Sequence, residues 1–498
     1  MSLPQPNILK QRKQLLLVLL AFFIIYGLIS FVNHYNFRTA ALDLGMFNQA
    51  LYAYSRGHAA NYTLDPSGVS YPFLSTHFSP ITLLYTPVYY LAGSYSFLLI
   101  QICSILFGAY GSYKVAFYLT GGQHKAAMLI LLQFLITWGT FSAVAFDFHN
   151  NVVGAMFVPW IMYYFLKGKA GPLWLISILF LMTQETMALW FPFIMTGLLL
   201  NFRSSWSHRQ LLRLHLPLVL AGTLYAMLIV FYVMPLLQGS EQNLQFSRYT
   251  HLGGGTASEL VVNLITHPLH TIQVLFSNTL NDHLYDYIKV EFYAALLLSG
   301  GIFILLRPAF LIMLIPVIAQ KMLSNTFTFW GTNAQYSIEY IPVLCAATIS
   351  FFSAGKDRKP ILLYVSLLLT TATTVKLLDS RISKWYYPEL VRIYQPAHYR
   401  PYVNNHEVYD ALSLIPPDVA STASLSLAPH IANRFALYHF PVVKDAVYMA
   451  LLKHEHDAWP AETPGAYLDL IDQYKKDSNW TIIRETKDVV ILKRADQL

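Results

Sequence analysis

Residues Gln14 to Val32, QLLLVLLAFFIIYGLISFV, run for 19 positions without a charge. A helix needs about 20 apolar residues to cross the hydrocarbon core of a bilayer, so this stretch predicts a membrane-spanning helix. Lys10, Arg12 and Lys13 stand directly before it. A signal peptide opens on positive charge too, but this apolar run is too long and lacks a small-residue cleavage site. It reads as a retained anchor with its N-terminus in the cytoplasm.

The pattern repeats along the chain, with further apolar runs over 78–92, 96–119, 126–146, 152–166, 172–183, 186–201, 215–237, 291–306, 308–322, 336–354 and 361–377. Of the 498 residues 55% are hydrophobic and 12% charged, against about 25% charged in soluble domains. The composition is that of a polytopic membrane protein. The net charge of +7 does not imply nucleic acid, because the basic residues cluster between apolar runs and act as topology determinants. Cys103 and Cys345 both lie inside apolar runs and form neither a disulfide framework nor a metal motif.

Lys167-Gly168-Lys169, Arg203 to Arg213, Arg307 and Lys356-Asp357-Arg358-Lys359 suit the cytoplasmic side. Alternation then places 33–77, 147–151, 184–185, 238–290, 323–335 and the C-terminal region on the opposite face. Three full crossings between 14 and 119 would invert the connector at 167–169. Segment 78–92, which contains Pro80 and Pro87, is therefore expected not to cross fully.

Beyond residue 377 the apolar runs stop. The tail, about 120 residues, is long enough for a small domain. Ala420 to Leu427 predicts a strand, Ala428 to Arg434 a helical turn and Val489 to Leu492 a last strand, giving a small α/β module outside the membrane. In the long loop 238–290, Gly253-Gly254-Gly255 predicts a turn. Thr256 and Glu259 have the spacing of a capping box opening a helix that lies along the interface.

Four polar clusters fall on the non-cytoplasmic face under this topology. They are Asp43 with Asn48, Gln49, Arg56 and His58; Ser75 to Pro80 around His77; Phe146-Asp147-Phe148-His149-Asn150-Asn151; and Thr183-Gln184-Glu185-Thr186. Each has an ordinary alternative. Asp43 can cap a helix end, His77 can bond a backbone carbonyl, and Asp147 and His149 can be interfacial residues. Glu185 stands out, because a carboxylate between two apolar stretches is costly in a bilayer and usually faces a cavity or a partner. Asp147 and His149 are two apart, which on an extended segment points them the same way. With Asp43 they are the only metal candidates, for Mg²⁺ or Mn²⁺. No zinc spacing, phosphate loop or nucleophile elbow stands out.

Asp43-Leu44-Gly45 followed by Gln49-Ala50, then His77-Phe78-Ser79-Pro80 and Asp147-Phe148-His149, resemble a widespread prokaryotic family of predicted polytopic membrane proteins of unknown function. Arg248-Tyr249-Thr250-His251-Leu252-Gly253, His267-Pro268, Gln335-Tyr336-Ser337, Leu427-Ala428-Pro429-His430 and Arg434 extend the resemblance over nearly the whole chain. That family is similar in layout to the GT-C glycosyltransferases, which take a sugar from a polyprenyl-phosphate donor on the outer face of the membrane.

The resemblance implies an all-α polytopic membrane protein with a GT-C-like fold and about 11–13 transmembrane or re-entrant helices over 1–377. A small extracytoplasmic α/β domain over 378–498 follows it. It implies a cytoplasmic-membrane glycosyltransferase with Asp43 and Glu185 catalytic. His77, Asp147, His149, Gln184, Arg56, Arg248, His251, Gln335 and Tyr336 would bind donor or substrate. The implied partners are a polyprenyl-phosphate-linked sugar, membrane lipid and an extracytoplasmic glycan, lipid or protein acceptor. Relatives often have a basic residue, Glu, then Asp where this chain has Gln184-Glu185-Thr186. That difference moves donor-phosphate binding to Arg38, Arg56, Arg248 or a histidine. The competing readings are a lipid or glycan flippase, favoured by broken helices, and a membrane anchor presenting the C-terminal module to a partner.

Overall fold

The computed structural model describes residues 8–497 apart from 204–205, 240–246, 254–255, 355–359, 384–386 and 456. The basic connector at 356–359 and two of the three glycines at 253–255 thus lie outside the described residues. The first apolar run forms the helix Ile8–Tyr35. Pro80–Leu119, Glu185–Phe202, His208–Gln238, His283–Leu306 and Ile361–Asp379 are likewise long and apolar enough to cross a membrane. His124–Ile136 and Trp138–Ala145, bent by 42° at their junction, make a further span when taken together. Asn150–Lys167 and the shorter apolar helices Ala170–Leu181, Ala309–Met322 and Tyr340–Ser353 pack among them.

Hydrophobic side chains are not confined to the interior. Leu224, Phe231, Leu236, Leu298 and Leu368 all point outward. In water such a surface would be anomalous; on a bundle of apolar helices it is the face that meets lipid. Where helices touch, small residues let the backbones close up. A Cβ on Gly108 would stand 2.6 Å from the Met156 sulfur, so helix Ser96–Leu119 can lie against Asn150–Lys167 only because this residue is glycine.

Segment 78–92 does not make a crossing of its own. A 3₁₀ turn over Pro80–Tyr85 leads into the seven-residue helix Thr86–Ala92, which stops at Gly93 with φ 52°. Seven helical residues rise about 10 Å, far short of a hydrocarbon core of about 30 Å. The segment joins Ser96–Leu119 as one candidate span.

Between the first two spans a short hairpin pairs β1 (Asn61–Tyr62) with β2 (Tyr71–Pro72). The C-terminal module is a five-stranded sheet, β4-β3-β5-β7-β6, formed by β3 (Ser421–Ala423), β4 (Leu437–His439), β5 (Tyr448–Leu452), β6 (Trp480–Glu485) and β7 (Val489–Arg494). β3 runs parallel to β4 and β5, while β7 is antiparallel to both β5 and β6.

Successive side chains of a strand face opposite sides, and the buried run Val489 to Leu492 follows that rule. Val490 and Leu492 pack with Met449, Leu451 and Ile471 of helix Pro464–Lys476. Val489 and Ile491 join a cluster that contains Phe37, Leu44, Phe47 and Leu51 from the loop after the first helix. The module therefore shares its core with that loop.

Polar contacts fix the same join. Arg38 donates to the carbonyls of His398 and Arg400, Gln49 to that of Phe435, and Thr63 to that of Leu437. The loop that carries Asp43 is held between the bundle and the sheet.

Candidate functional site

A cavity of about 450 Å³ opens at one end of the bundle. Asp43, His77, His149, Gln184, Glu185, Arg248, Gln335 and Tyr336 all stand on its wall, although they come from six separate stretches of chain. These eight of the residues singled out in the sequence share one chamber.

Asp43 sits in a π-helical turn, Ala41–Gly45, which runs directly into helix Met46–Ser55. The wider turn is a known feature of functional sites because the extra residue re-aims a side chain. Here the Asp43 Oδ1 stands 3.1 Å from His149 Nε2. The imidazole is stacked on Phe146, with ring centres 5.4 Å apart and planes at 17°.

Asp147 does not join this pair. It adopts a left-handed backbone, φ 36°, which turns its carboxylate away from the cavity. Oδ2 accepts the backbone N–H of Ala40 at 2.7 Å and that of Leu44 at 3.4 Å. Its role is to hold the turn that presents Asp43. Burial, with Asp43's negative charge nearby, pushes the Asp147 carboxyl up to about 8.

The expectation that Asp147 and His149 point the same way is therefore corrected. It assumed an extended segment, whereas the positive φ rotates one side chain off the face of the other. Among the described residues no three His, Cys, Asp or Glu side chains come together as metal ligands. The trio Asp43, Asp147 and His149 does not fit Mg²⁺ or Mn²⁺.

On another part of the wall, Glu185 is the first residue of helix Glu185–Phe202. Its Oε1 lies 2.9 Å from His77 Nδ1, and its Oε2 accepts the backbone N–H of Phe78 at 2.9 Å. Gln184 Nε2 is 3.1 Å from the same Nδ1. His77 Nε2 has no partner among the described residues. Burial draws the His77 pKa down, but the charge and hydrogen bond of Glu185 more than offset it and leave it raised. Gly154 permits the break before this helix, because a Cβ there would stand 2.7 Å from both Thr183 and Met187.

Arg248 lies over the Phe329 ring, 4.7 Å from its centre. Among the described residues no carboxylate is within ion-pair distance of it. Apolar side chains, including Leu189, Val230, Met234, Leu252, Leu260 and Leu264, form the rest of this wall. Leu260 and Leu264 come from helix Ala257–Thr266, whose start is capped by Thr256 accepting from the Glu259 N–H.

Three more expected residues lie elsewhere. Arg56 stacks on Tyr52 at 5.4 Å, and neither it nor His251 lines the cavity. Arg38 is occupied by backbone carbonyls of the C-terminal region.

Other residues were missed. Gln101 clamps the 147–149 turn, donating to the Asp147 carbonyl and accepting the His149 N–H at 3.0 Å. Lys321 and Glu339 form a buried ion pair on the cavity wall, with Asn151 donating to Glu339 at 2.9 Å. The signal was present: Lys321 and Glu339 are charges within apolar runs, the same anomaly that marked Glu185.

The model of a family described as "Predicted membrane protein (DUF2079)" matches residues 33–491. The chain belongs to that family. No curated protein matches it. This DUF2079 protein is similar in fold to ArnT from Cupriavidus metallidurans, whose crystal structure holds undecaprenyl phosphate. The TM-score is 0.52 at 11% identity, over 96% of this chain and 97% of ArnT. The DUF2079 chain thus shares the fold of ArnT over nearly its whole length.

Proposed function

We propose that this protein transfers a sugar from a polyprenyl-phosphate donor to an acceptor hydroxyl on the outer face of the cytoplasmic membrane. The observation that carries the reading is the cavity itself. One chamber holds an acid–histidine pair at Asp43, a second at Glu185, and an arginine with no carboxylate partner among the described residues, beside an apolar wall.

Each feature has a task in glycosyl transfer. The acceptor oxygen attacks the anomeric carbon while the bond from that carbon to the phosphate oxygen breaks. The acceptor proton passes to Asp43, whose carboxylate His149 orients. The phosphate leaves with the bonding electrons, and its charge falls to Arg248 and to the free edge of His77. Glu185 fixes the His77 ring through Nδ1 and so directs Nε2 outward. Leu252, Leu260 and Leu264 suit the first isoprene units. The likeness to a fold that binds undecaprenyl phosphate in ArnT favours the same class of lipid here. The acceptor is an extracytoplasmic glycan, lipid or protein.

The test is transfer of radiolabelled sugar from polyprenyl-phosphate donors by membranes containing the full chain. Asp43→Asn keeps the size and the contact to His149 but removes the base, worth about 10²–10⁴-fold in rate. Transfer is expected to fall by at least a hundredfold while the protein still inserts and binds donor. A variant within threefold of the unaltered protein would overturn the assignment of Asp43.

A further inference from the structure

Far from the cavity, helices Ser96–Leu119 and Asn150–Lys167 carry a group of charged and aromatic residues that the transfer chemistry does not use. Asn150 starts its helix on the cavity wall, and Lys167 ends it. A helix of 18 residues is about 27 Å long, close to the thickness of a hydrocarbon core. Lys167 therefore stands at the leaflet opposite the cavity.

Gly108 and Gly111 let the two helices close up, since a Cβ on Gly111 would stand 2.9 Å from the Trp160 ring. Their approach brings two lysines to one aromatic ring. Lys114 Nζ lies 5.5 Å from the centre of the Tyr163 ring and 6.0 Å from that of Tyr110. Lys167 Nζ lies 4.5 Å from the centre of the Tyr118 ring and 6.0 Å from that of Tyr163. A ring face holds an ammonium without consuming its N–H donors. Among the described residues no carboxylate is within ion-pair distance of either lysine. Before Arg213 the chain's only acids are Asp43, Asp65, Asp147 and Glu185, which all belong to the cavity or to the loops beside it.

A lysine that merely snorkels extends past its helix into water. Lys167 is exposed and does no more than that. Lys114 is half-buried and stands five residues before the end of its helix, or about 8 Å inside it. Beside it, the Tyr113 hydroxyl is 3.0 Å from His124 Nδ1, and His124 Nε2 is 3.1 Å from Gln14, the first residue of the first apolar run. That contact sets Lys114 near the level where hydrocarbon meets head groups. Phe107 and Tyr118 next to it are exposed, so the lysines are reached from the lipid side.

We propose that Lys114 and Lys167 bind the head group of an anionic phospholipid in the leaflet opposite the cavity. A head group with two phosphodiesters fits best, one for each ammonium. Basic pockets between membrane helices are the general form of such sites. This site is independent of the chemistry in the cavity.

The experiment measures lipid dissociation constants by native mass spectrometry on the full chain in mild detergent. The probes are diphosphatidylglycerol, phosphatidylglycerol and phosphatidylcholine, all with oleoyl chains. One matched charge near a membrane surface is worth about fivefold in affinity. Diphosphatidylglycerol is expected to bind about fivefold tighter than phosphatidylglycerol and at least about tenfold tighter than phosphatidylcholine. Lys114→Gln and Lys167→Gln should each weaken diphosphatidylglycerol about fivefold. Lys125→Gln, a charge from the neighbouring helix His124–Ile136 outside the cluster, should leave it unchanged. The ranking of the three lipids on the unaltered chain needs no variant. Phosphatidylglycerol binding as tightly as diphosphatidylglycerol would overturn the two-phosphate assignment. Phosphatidylcholine binding equally well, or Lys125→Gln weakening the lipid as much as Lys114→Gln, would overturn the site.

Discussion

Replacing Glu185 with glutamine preserves shape while removing one charge, and the structure fixes what should follow. The carboxylate receives two charge-assisted hydrogen bonds, from His77 Nδ1 and the Phe78 N–H, both at 2.9 Å. Making each of them neutral removes about 1 kcal/mol. Losing the negative charge at the first turn of helix Glu185–Phe202 removes about 0.5 kcal/mol more. The variant should therefore be less stable by roughly 2–3 kcal/mol and still fold.

The larger consequence is for His77. Burial alone lowers its pKa, and Glu185 is what raises it. In the unaltered protein a His77–phosphate contact is fully present below the ordinary histidine range. It is lost as pH rises through the raised value. In Glu185→Gln the loss should come at lower pH. Exchanging a charged donor for a neutral one costs about 1.4 kcal/mol, or tenfold in affinity.

The assay is the dissociation constant of a polyprenyl phosphate from pH 5 to pH 9 for both proteins. Affinity should converge at the acid end and separate by about tenfold near neutrality. Identical pH profiles would refute the proposed coupling of Glu185, His77 and phosphate.

Asp147, whose carboxyl is raised to about 8, contributes stability that is present below the ordinary carboxylate range and is lost as pH rises through 8. Asp147→Asn should flatten the fall in thermal stability between about pH 4 and pH 8, measured by the melting temperature in detergent. Lys321→Met leaves Glu339 as a buried unpaired carboxylate and should cost about 3–5 kcal/mol. Lys321→Met combined with Glu339→Gln should recover most of that loss, and a double variant no better than the single would contradict the pairing.

The spans were legible because uninterrupted apolar length is a direct requirement of a bilayer. The break after 78–92 has its mechanism in Gly93, whose φ of 52° ends the helix Thr86–Ala92. Asp43, His77, His149 and Glu185 all stand at or beside the ends of apolar runs in the sequence, and the structure brings them to one cavity.

The details depended on local backbone geometry. The two-residue spacing of Asp147 and His149 points to a shared face, and a positive φ that no motif announces turns Asp147 to Ala40 and Leu44 instead. The pairing of the C-terminal sheet with the first loop was equally hidden. It depends on which side of strands such as Val489 to Leu492 meets Phe37 and Phe47, and a strand buried on both faces gives no alternation to read. Arg56 and Arg248 looked alike as loose basic residues, and only the tertiary fold separates them.

The most direct test of the account is a structure of the full chain with a polyprenyl phosphate bound. The phosphate is predicted within hydrogen-bonding distance of the Arg248 guanidinium and His77 Nε2, with the first isoprene units along Leu252, Leu260 and Leu264. A phosphate seated away from Arg248, with the Asp43–His149 chamber empty of lipid head group, would contradict it.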